Sequence, residues 1–396
     1  MIQRNAQQTL LRLAKGFPIV AITGPRQSGK TTLAKLTFPQ KPYLSLEDPD
    51  TRSIAESDPR GLLAGFSGGA ILDEIQRVPQ LFSYLQTHVD KNIVPGMFVL
   101  TASQQFGLLS GISQSLAGRV GMVHLLPFTT SELLSATKLP DSLDALMITG
   151  FYPPLYDRDL APSDWFAAYA STYIERDARQ LINIRDLSTF QRFLKMCAAR
   201  TGQIVNLSTL ASDCGITHNT ASSWISVLEA SYLVHLLRPH YRNFNKRLIK
   251  APKLYFWDVG LASWLIGIRS TDQICFHPQR GALFETFAVS ELLKERFNLG
   301  LPLNVFFWRD HKGLEVDLLC ESSQALCAIE IKSGQTVAAD FFANLKRWQV
   351  LAGQPDAEAW LLYGGDQEFR QENVAIIPWK NINKIANSLN VEGVAR

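Results

Sequence analysis

The sequence predicts an α/β protein: a parallel sheet alternating with helices, then a mostly helical middle, then a second, smaller α/β unit. Three observations support this prediction. Over the first ~130 residues, short apolar runs alternate with helix-compatible segments. From residue 189, two short helical patterns flank a glycine-containing turn. Beyond residue 281, an apolar-striped helix precedes three strand-like runs.

Composition bounds the class of protein. The 396 residues are 46% hydrophobic with a net charge of +3. These values allow two or three domains of ~150 residues, without a general attraction for polyanions. Five cysteines without a CxxC spacing indicate a reducing compartment. No apolar run reaches the ~18 residues of a membrane span, and residues 1–23 lack a signal-peptide core. We therefore expect a soluble cytoplasmic protein without membrane contact.

The first predicted strand, residues 18–23, runs into a glycine-rich loop that fits GxxxxGK[ST] at every fixed position. Its glycines let backbone N–H groups surround phosphate oxygens, and the next helix presents its positive end to the same anion. Lys30 would bind the β and γ phosphates, and the Thr31 hydroxyl would bind Mg²⁺. The alternative is that the glycine-rich loop is an ordinary strand-to-helix turn without a ligand. The predicted nucleotide-binding residues are Gly24, Pro25, Arg26, Gln27, Ser28, Gly29, Lys30, Thr31 and Thr32.

A second strand-like run, residues 70–72, ends in Asp73 and Glu74. This is the layout of a Walker B site. Asp73 would hold the metal ion, directly or through water, and Glu74 would polarise the attacking water. The alternative is a solvated acidic pair at the end of a strand.

Three more strands, at residues 43–46, 97–101 and 120–126, complete the predicted sheet. Ser103 follows one of them, where it would sense the γ-phosphate or orient water, or else lie in a plain polar turn. Arg119 stands after a predicted helix at 112–117. It would complete the site of a neighbouring subunit in a homo-oligomer, or lie on the surface at a helix C-terminus.

Residues 131–188 are predicted to form a helical lid, from which Arg176 or Arg179 would contact phosphates or face solvent. Residues 189–275 predict a winged-helix segment, with helices at 207–213 and 218–230 and strands at 233–237 and 253–257. Its second helix would expose His218, Asn219, Ser222 and Ser223. The segment between the strands contains no acidic residue and carries Arg238, Tyr241, Arg242, Phe244, Lys246, Arg247 and Lys250.

Such a basic, aromatic segment suits a nucleic-acid backbone, DNA rather than RNA. A winged helix also serves as a packing or protein-contact module, so both interpretations stay open.

The C-terminal part contains a third group of polar residues. Asp317 lies on a predicted hairpin, and Glu330 and Lys332 share one face of the next strand. The two carboxylates offer hard oxygen ligands for Mg²⁺, and Glu285 on the preceding helix would complete the set. The Lys332 ammonium would lower the pKa of a metal-bound water that attacks a phosphodiester. The alternative is a set of charges that satisfy one another.

The order and spacing of this group resemble the PD-(D/E)xK nucleases, although Val316 stands at the position of the motif's proline, which is often absent in that superfamily. The whole chain resembles the prokaryotic AAA-type ATP-binding proteins that carry the domain of unknown function DUF4143. The motifs that carry this resemblance are the loop 24–31, Leu46-Glu47-Asp48-Pro49, Ile71-Leu72-Asp73-Glu74-Ile75-Gln76 and Gly313-Leu314-Glu315-Val316-Asp317.

The resemblance implies an AAA-like P-loop NTPase core followed by a winged-helix segment and a restriction-endonuclease-like α/β domain, with ATP and Mg²⁺ as ligands. The predicted domains are 1–130, 131–188, 189–275 and 276–396. We expect an ATPase whose nucleotide cycle controls a C-terminal module that binds or cuts nucleic acid at Asp317, Glu330 and Lys332. The alternative is an ATP-dependent switch or adaptor for a protein partner, with an inactive nuclease-like domain.

Overall fold

The computed structural model describes residues 2–91, 93–103, 112–174, 186–241, 249–321, 326–354 and 357–390. The chain divides into two compact units, each described here by itself. The first contains residues 1–128, 230–232 and 297–301, and the second contains residues 129–229, 233–296 and 302–396.

The first unit is built on a parallel sheet with the spatial order β2-β3-β4-β1-β5. Because every strand runs in the same direction, all carboxyl ends meet at one edge, where ligands bind in open α/β sheets. The α/β class and the parallel sheet predicted from the sequence are therefore present. The strands are β1 (Ile19–Thr23), β2 (Tyr43–Ser45), β3 (Ile71–Asp73), β4 (Phe98–Ala102) and β5 (Val120–His124).

Helices pack around this sheet. All five residues of β1 are buried, as its unbroken apolar run predicts for a central parallel strand. Asp48 accepts a hydrogen bond from the Thr51 backbone N–H and Pro49 occupies the first turn of the next helix, which fixes where that helix begins. The helices are α1 (Ala6–Ala14), α2 (Lys30–Thr37), α3 (Pro49–Ser57), α4 (Pro59–Ala64) and α5 (Leu81–Lys91). The helix predicted at 112–117 is a single π-helical turn, Ile112–Leu116.

The second unit begins with short helices in the region predicted as a lid. Thr129 and Glu132 form a reciprocal capping box at the first of them. These helices are α6 (Thr130–Ser135), α7 (Leu143–Thr149), α8 (Pro154–Asp157) and α9 (Pro162–Tyr169), followed by a π-helical turn, Ala170–Ile174. Arg176 and Arg179 lie outside the described residues.

A helix-turn-helix arrangement with a small antiparallel sheet follows, in the order β6-β8-β7. Gly215, with φ +69°, ends the first helix of the pair in the left-handed region, which glycine adopts without strain. The name winged helix stays a prediction, and Arg242, Phe244, Lys246 and Arg247 lie outside the described residues. The elements are α10 (Leu187–Ala198), β6 (Gln203–Ile204), α11 (Leu207–Cys214), α12 (His218–Ala230), β7 (Val234–Leu237), β8 (Lys253–Phe256), α13 (Val259–Leu265) and α14 (Thr271–Cys275).

The C-terminal part of the second unit packs helices against a mixed sheet in the order β13-β14-β12-β11-β10-β9. The strands β9 and β10 form the predicted hairpin, and the predicted third strand, β11, pairs antiparallel with β10. The sequence did not predict the irregularity between Val316 and Leu319. Three further strands extend the sheet beyond the prediction. The elements are α15 (Arg280–Leu299), β9 (Val305–Arg309), β10 (Glu315–Glu321), β11 (Leu326–Lys332), α16 (Ala343–Leu351), β12 (Ala359–Tyr363), β13 (Phe369–Gln371), β14 (Val374–Pro378) and α17 (Ile382–Asn390).

Across the described parts of the chain, no helix combines the length and apolarity that crossing a membrane requires.

A buried arginine fixes the glycine-rich loop of the first unit. Arg4 precedes α1 and is 8% exposed. Its guanidinium donates to the Ser28 carbonyl at 2.7 Å and to the Leu126 carbonyl at 2.6 Å, and lies 4.9 Å from the centre of the Phe128 ring. Charge-assisted bonds of this kind are stronger than neutral ones. Arg4 therefore holds the loop against the segment that follows β5.

We expect Arg4→Met to lower the free energy of unfolding by about 3 kcal/mol, because two buried carbonyls lose a charged donor. Urea unfolding followed by circular dichroism measures this loss. Arg12→Met is the matched control, because Arg12 is exposed and bonds the Leu299 carbonyl at 3.2 Å. Equal stabilities of the two variants would show that Arg4 does not hold the loop.

Candidate functional site

The glycine-rich loop follows β1 directly and curls in the left-handed region at two places. Gln27 has φ +63° and Gly29 has φ +92°. A Cβ on Gly24 would lie 2.0 Å from the Leu125 carbonyl oxygen, so only glycine fits there. The Lys30 ammonium donates to the Gly24 carbonyl at 3.1 Å and to the Pro25 carbonyl at 2.8 Å. The lysine therefore lies within the curve of its own loop.

The remaining predicted loop residues differ in exposure. Ser28 is fully buried, and its Oγ has no hydrogen-bond partner among the described residues. Arg26 lies 3.8 Å from Glu47 in an ion pair. Thr32 is exposed in the first turn of α2, one residue after Thr31.

Three hydroxyl groups converge on the Asp73 carboxylate at the end of β3. The Thr31 Oγ1 donates to Asp73 Oδ1 at 2.8 Å, and the Tyr43 hydroxyl donates to Oδ2 at 2.8 Å. Thr101 on β4 also donates to Oδ1. Burial and the bond to Asp73 raise the pKa of Tyr43 to about 12, so its hydroxyl stays a donor. The structure brings Thr31 and Asp73 together, and it adds Tyr43 and Thr101, which the sequence did not single out.

Glu74 lies beside this group in a constrained backbone position, with φ +56°. Its backbone N–H donates to Thr101 Oγ1 at 3.1 Å. The Ser103 hydroxyl lies 2.8 Å and 2.6 Å from the two carboxylate oxygens of Glu74, and the Gln76 amide also donates to that carboxylate. Ser103 and Gln76 therefore set the orientation of the Glu74 side chain.

Arg119 lies away from this group. It precedes β5, at the amino edge of the sheet, whereas the loop follows the carboxyl end of β1. A five-residue strand spans about 16 Å, so Arg119 does not reach the loop of its own chain. Its guanidinium instead forms a bidentate pair with Asp90, at 2.6 Å and 2.9 Å. The predicted action of Arg119 in the site of a neighbouring subunit stays a proposal, beside the alternative of a surface arginine.

A second polar cluster lies in the second unit, around β10 and β11. The Lys332 ammonium donates to Glu330 Oε1 at 2.6 Å, and the Ile331 N–H donates to Asp317 Oδ2 at 2.8 Å. The structure therefore gathers Asp317, Glu330 and Lys332 as predicted. Burial raises the pKa of Glu330 to about 8, and burial also raises the pKa of Asp317.

The group of acidic side chains that suits a metal ion differs from the predicted one. Carboxylate oxygens of Glu285, Glu315 and Asp317 lie within 4.8 Å of one another. Glu330, predicted as a metal ligand, is not part of this group, and its Oε1 is paired with the Lys332 ammonium. Glu315 was missed, although the alternation Glu315-Val316-Asp317 places it on the face of Asp317.

A lysine from β8 occupies this acidic group. The Lys253 ammonium donates to Glu285 Oε1 at 2.8 Å and pairs with Glu315 Oε1. Lys253 is 3% exposed. Although burial lowers it, the carboxylates Glu285, Glu315 and Asp317 raise the pKa of Lys253 overall, so the ammonium is charged. No local pattern of the sequence signals this contact.

The face of α12 predicted to bind nucleic acid is divided. Asn219 and Ser223 are exposed, whereas Ser222 is half-buried. His218 and Ser222 line a cavity of about 880 Å³, together with Ile204, Val205, Asn206, Leu207, Ser208, Ile225, Ser226, Glu229, Leu236, Ile249, Lys250, Ala251, Pro252 and His311.

Comparisons with known proteins identify three matching domains along the chain. An AAA domain matches residues 16–134, and the domain of unknown function DUF4143 matches residues 280–382. Between them, the domain of unknown function DUF8612 matches residues 140–272. The resemblance to AAA-type proteins with DUF4143 is thereby confirmed in both of its domains.

Two mycobacterial proteins, both described as uncharacterized, are similar over most of the chain. They are Rv2008c of Mycobacterium tuberculosis and Mb2031c of Mycobacterium bovis, each 33% identical over 341 residues. The match covers 84% of this chain and 74% of each relative.

Solved structures with partial similarity include the following three proteins. The Walker-type ATPase PABY2304 of Pyrococcus abyssi has a TM-score of 0.44 at 13% identity, covering 66% of this chain and 94% of that one. The RuvB Holliday junction branch migration motor of Thermotoga maritima has a TM-score of 0.32 at 20% identity, covering 59% and 90%. AMPPCP-bound DnaA from Aquifex aeolicus has a TM-score of 0.30 at 14% identity, covering 57% and 85%.

Proposed function

The chain belongs to the family of AAA-domain ATPases that carry a C-terminal DUF4143 domain, and from this premise we propose that it binds ATP with Mg²⁺ and hydrolyses the nucleotide. The observation that carries the proposal is the 2.8 Å hydrogen bond between Thr31 Oγ1 and Asp73 Oδ1. It brings the first turn of α2 and the end of β3 to one point, with two hard oxygen atoms side by side. Mg²⁺ that is bound beside a phosphate group uses oxygen ligands of this kind.

The loop also fits a phosphate group. Its curl depends on glycine at Gly24 and on left-handed backbone at Gly29, and α2 begins at Lys30, so the positive end of this helix directly follows the loop. Lys30 would exchange its two carbonyl partners for phosphate oxygens. Thr31 and Asp73 would hold the metal ion, which supplies neutralisation of the phosphate charge when bound. Glu74, oriented by Ser103, would position and polarise water.

The roles of Lys30 and Glu74 predict that substituting Lys30 weakens ATP binding, whereas substituting Glu74 slows ATP turnover. We expect Lys30→Ala to weaken ATP binding by roughly tenfold to a hundredfold, because charged hydrogen bonds to phosphate disappear. We expect Glu74→Gln to keep ATP affinity and to lower turnover by about a hundredfold or more, because only water activation is removed. Fluorescent-nucleotide titration and phosphate release separate the two effects.

Lys15→Ala and Glu56→Gln are the controls, because both side chains are exposed in the first unit. Wild-type turnover in Lys30→Ala would refute the assignment of the site. Unchanged turnover in Glu74→Gln, with turnover slow in the wild type as well, would point to a protein that works by nucleotide occupancy alone.

The proposal extends to control of the C-terminal part by the nucleotide cycle. Support comes from Tyr232, which follows α12 and belongs to the first unit. The Tyr232 hydroxyl lies 3.3 Å from Thr23 Oγ1 and 2.8 Å from His124 Nδ1. Thr23 is the residue directly before Gly24. The chain that leaves the second helix of the helix-turn-helix is therefore bonded one residue from the phosphate loop.

We expect a non-hydrolysable ATP analogue to slow amide hydrogen exchange in residues 218–232, and Tyr232→Phe to reduce this protection at least about threefold. The reason is that the substitution removes the hydroxyl and keeps the ring. Hydrogen exchange with mass spectrometry measures the effect, and Tyr84→Phe on α5 is the matched control. The same protection in wild type and Tyr232→Phe would exclude Tyr232 as the link.

The second unit is proposed to bind nucleic acid, DNA rather than RNA. Support comes from Asn219 and Ser223, exposed on α12, and from Arg238 and Lys250, exposed on the adjoining segment. The nuclease-like interpretation is favoured by the closeness of Asp317 to Glu330 and Lys332. The adaptor alternative has its own favouring observation: the ammonium of Lys253 lies within the acidic group.

Salt dependence separates DNA binding from a protein contact. We expect the affinity for duplex DNA to fall with salt, with a log–log slope of about −0.9 for each phosphate contacted. Arg238→Ala and Lys250→Ala should each reduce the slope by about 1, whereas Lys195→Ala, exposed on α10, should not. Fluorescence anisotropy at several salt concentrations measures the slopes, with duplex RNA in parallel. Absence of salt-dependent binding would favour the adaptor role.

A further inference from the structure

The second unit contains a lysine in a closed acidic environment. Lys253 lies on β8 and is 3% exposed, and its ammonium contacts carboxylates from two other elements, Glu285 on α15 and Glu315 on β10. Tyr255, two residues along β8, donates its hydroxyl to Glu285 Oε1 at 2.6 Å. One strand therefore supplies two hydrogen-bond donors to Glu285.

The ammonium contacts two of the three carboxylates that could bind one metal ion together. The oxygens of Glu285, Glu315 and Asp317 lie within 4.8 Å of one another, close enough to share one cation. The ammonium binds Glu285 at 2.8 Å, whereas Mg²⁺ requires oxygen ligands at about 2.1 Å. The cluster as built therefore has the geometry of an ammonium site.

Charge within the cluster is largely compensated. Four carboxylates, those of Glu285, Glu315, Asp317 and Glu330, face three cations, Lys253, Lys332 and Arg309. Little uncompensated negative charge remains to attract a divalent ion.

One oxygen at the edge of the cluster is unused. Glu330 is 2% exposed, and its Oε2 has no hydrogen-bond partner among the described residues. The register that pairs Leu318 with Ile329 places Glu330 across from Asp317 on the same face of the sheet. A buried carboxylate oxygen beside Asp317 is available as a ligand if the ammonium is removed.

We propose that Lys253 is a built-in cation that excludes divalent metal ions from the carboxylates of Glu285, Glu315 and Asp317. The proposal is independent of ATP hydrolysis in the first unit. It implies that the group Asp317, Glu330 and Lys332 lacks the metal-bound water that attack on a phosphodiester would require. The cluster instead joins β8 to α15 and β10, because Lys253 forms ion pairs with Glu285 and Glu315.

The test counts Mn²⁺ ions bound per chain by electron paramagnetic resonance, in the full-length protein without nucleotide. We expect wild type and Asp317→Asn to bind the same number. We expect Lys253→Met to bind one more, and the double variant Lys253→Met/Asp317→Asn to lose it. Mn²⁺ should also raise the melting temperature of Lys253→Met and leave that of the wild type unchanged, because a ligand stabilises only a fold that binds it.

Lys195→Met, with an exposed lysine on α10, controls for loss of one positive charge and should gain no ion. One Mn²⁺ ion bound by wild type and lost in Asp317→Asn would overturn the proposal, as would a folded Lys253→Met that gains none. If Lys253→Met fails to fold, the wild type and Asp317→Asn still decide the question. ATP turnover in each variant reports on the nucleotide site separately, so failure of one proposal does not mimic failure of the other.

Discussion

The Asp73 carboxylate is the point on which the nucleotide site depends. It accepts hydrogen bonds from Thr31, Tyr43 and Thr101, which come from α2, β2 and β4. Parallel strands bring their carboxyl ends to one edge, but direction alone does not fix side chains to within a few tenths of an ångström. The shared acceptor does so, because each hydroxyl must reach the same two oxygens. Glu74 follows in sequence and its backbone N–H donates to Thr101 Oγ1, so the backbone that carries the second carboxylate is held by the same threonine.

The negative charge of Asp73 and that of the cluster around Glu285 and Glu315 have different kinds of partner. The donors described around Asp73 are neutral hydroxyls, which satisfy its lone pairs without cancelling its charge. Around Glu285 and Glu315 the donor is the buried Lys253 ammonium, which cancels charge directly. A buried carboxylate with hydroxyl partners still attracts a cation, whereas one that already holds an ammonium gains little from exchanging it. The hydrogen-bond partners of the carboxylates therefore decide whether each group attracts a cation.

Much of the nucleotide site is predictable because it is local in sequence. The loop 24–31 and the pair Asp73 and Glu74 follow strands whose apolar runs are unambiguous, so their meeting at one edge follows from the parallel sheet. Tyr43 and Arg4 were not predicted, since an isolated tyrosine or arginine has no distinguishing pattern.

The C-terminal cluster is less predictable from the sequence than the nucleotide site. Alternation along β10 and β11 predicts that Asp317, Glu330 and Lys332 meet. The contact between Lys253 and Glu285 spans 32 residues and depends on how β8 packs on α15, which no periodicity encodes. The irregularity between Val316 and Leu319 is likewise a tertiary feature; such bulges bend a strand and re-aim its side chains. The residue that decides whether the cluster binds metal was therefore the one that local reasoning could not identify.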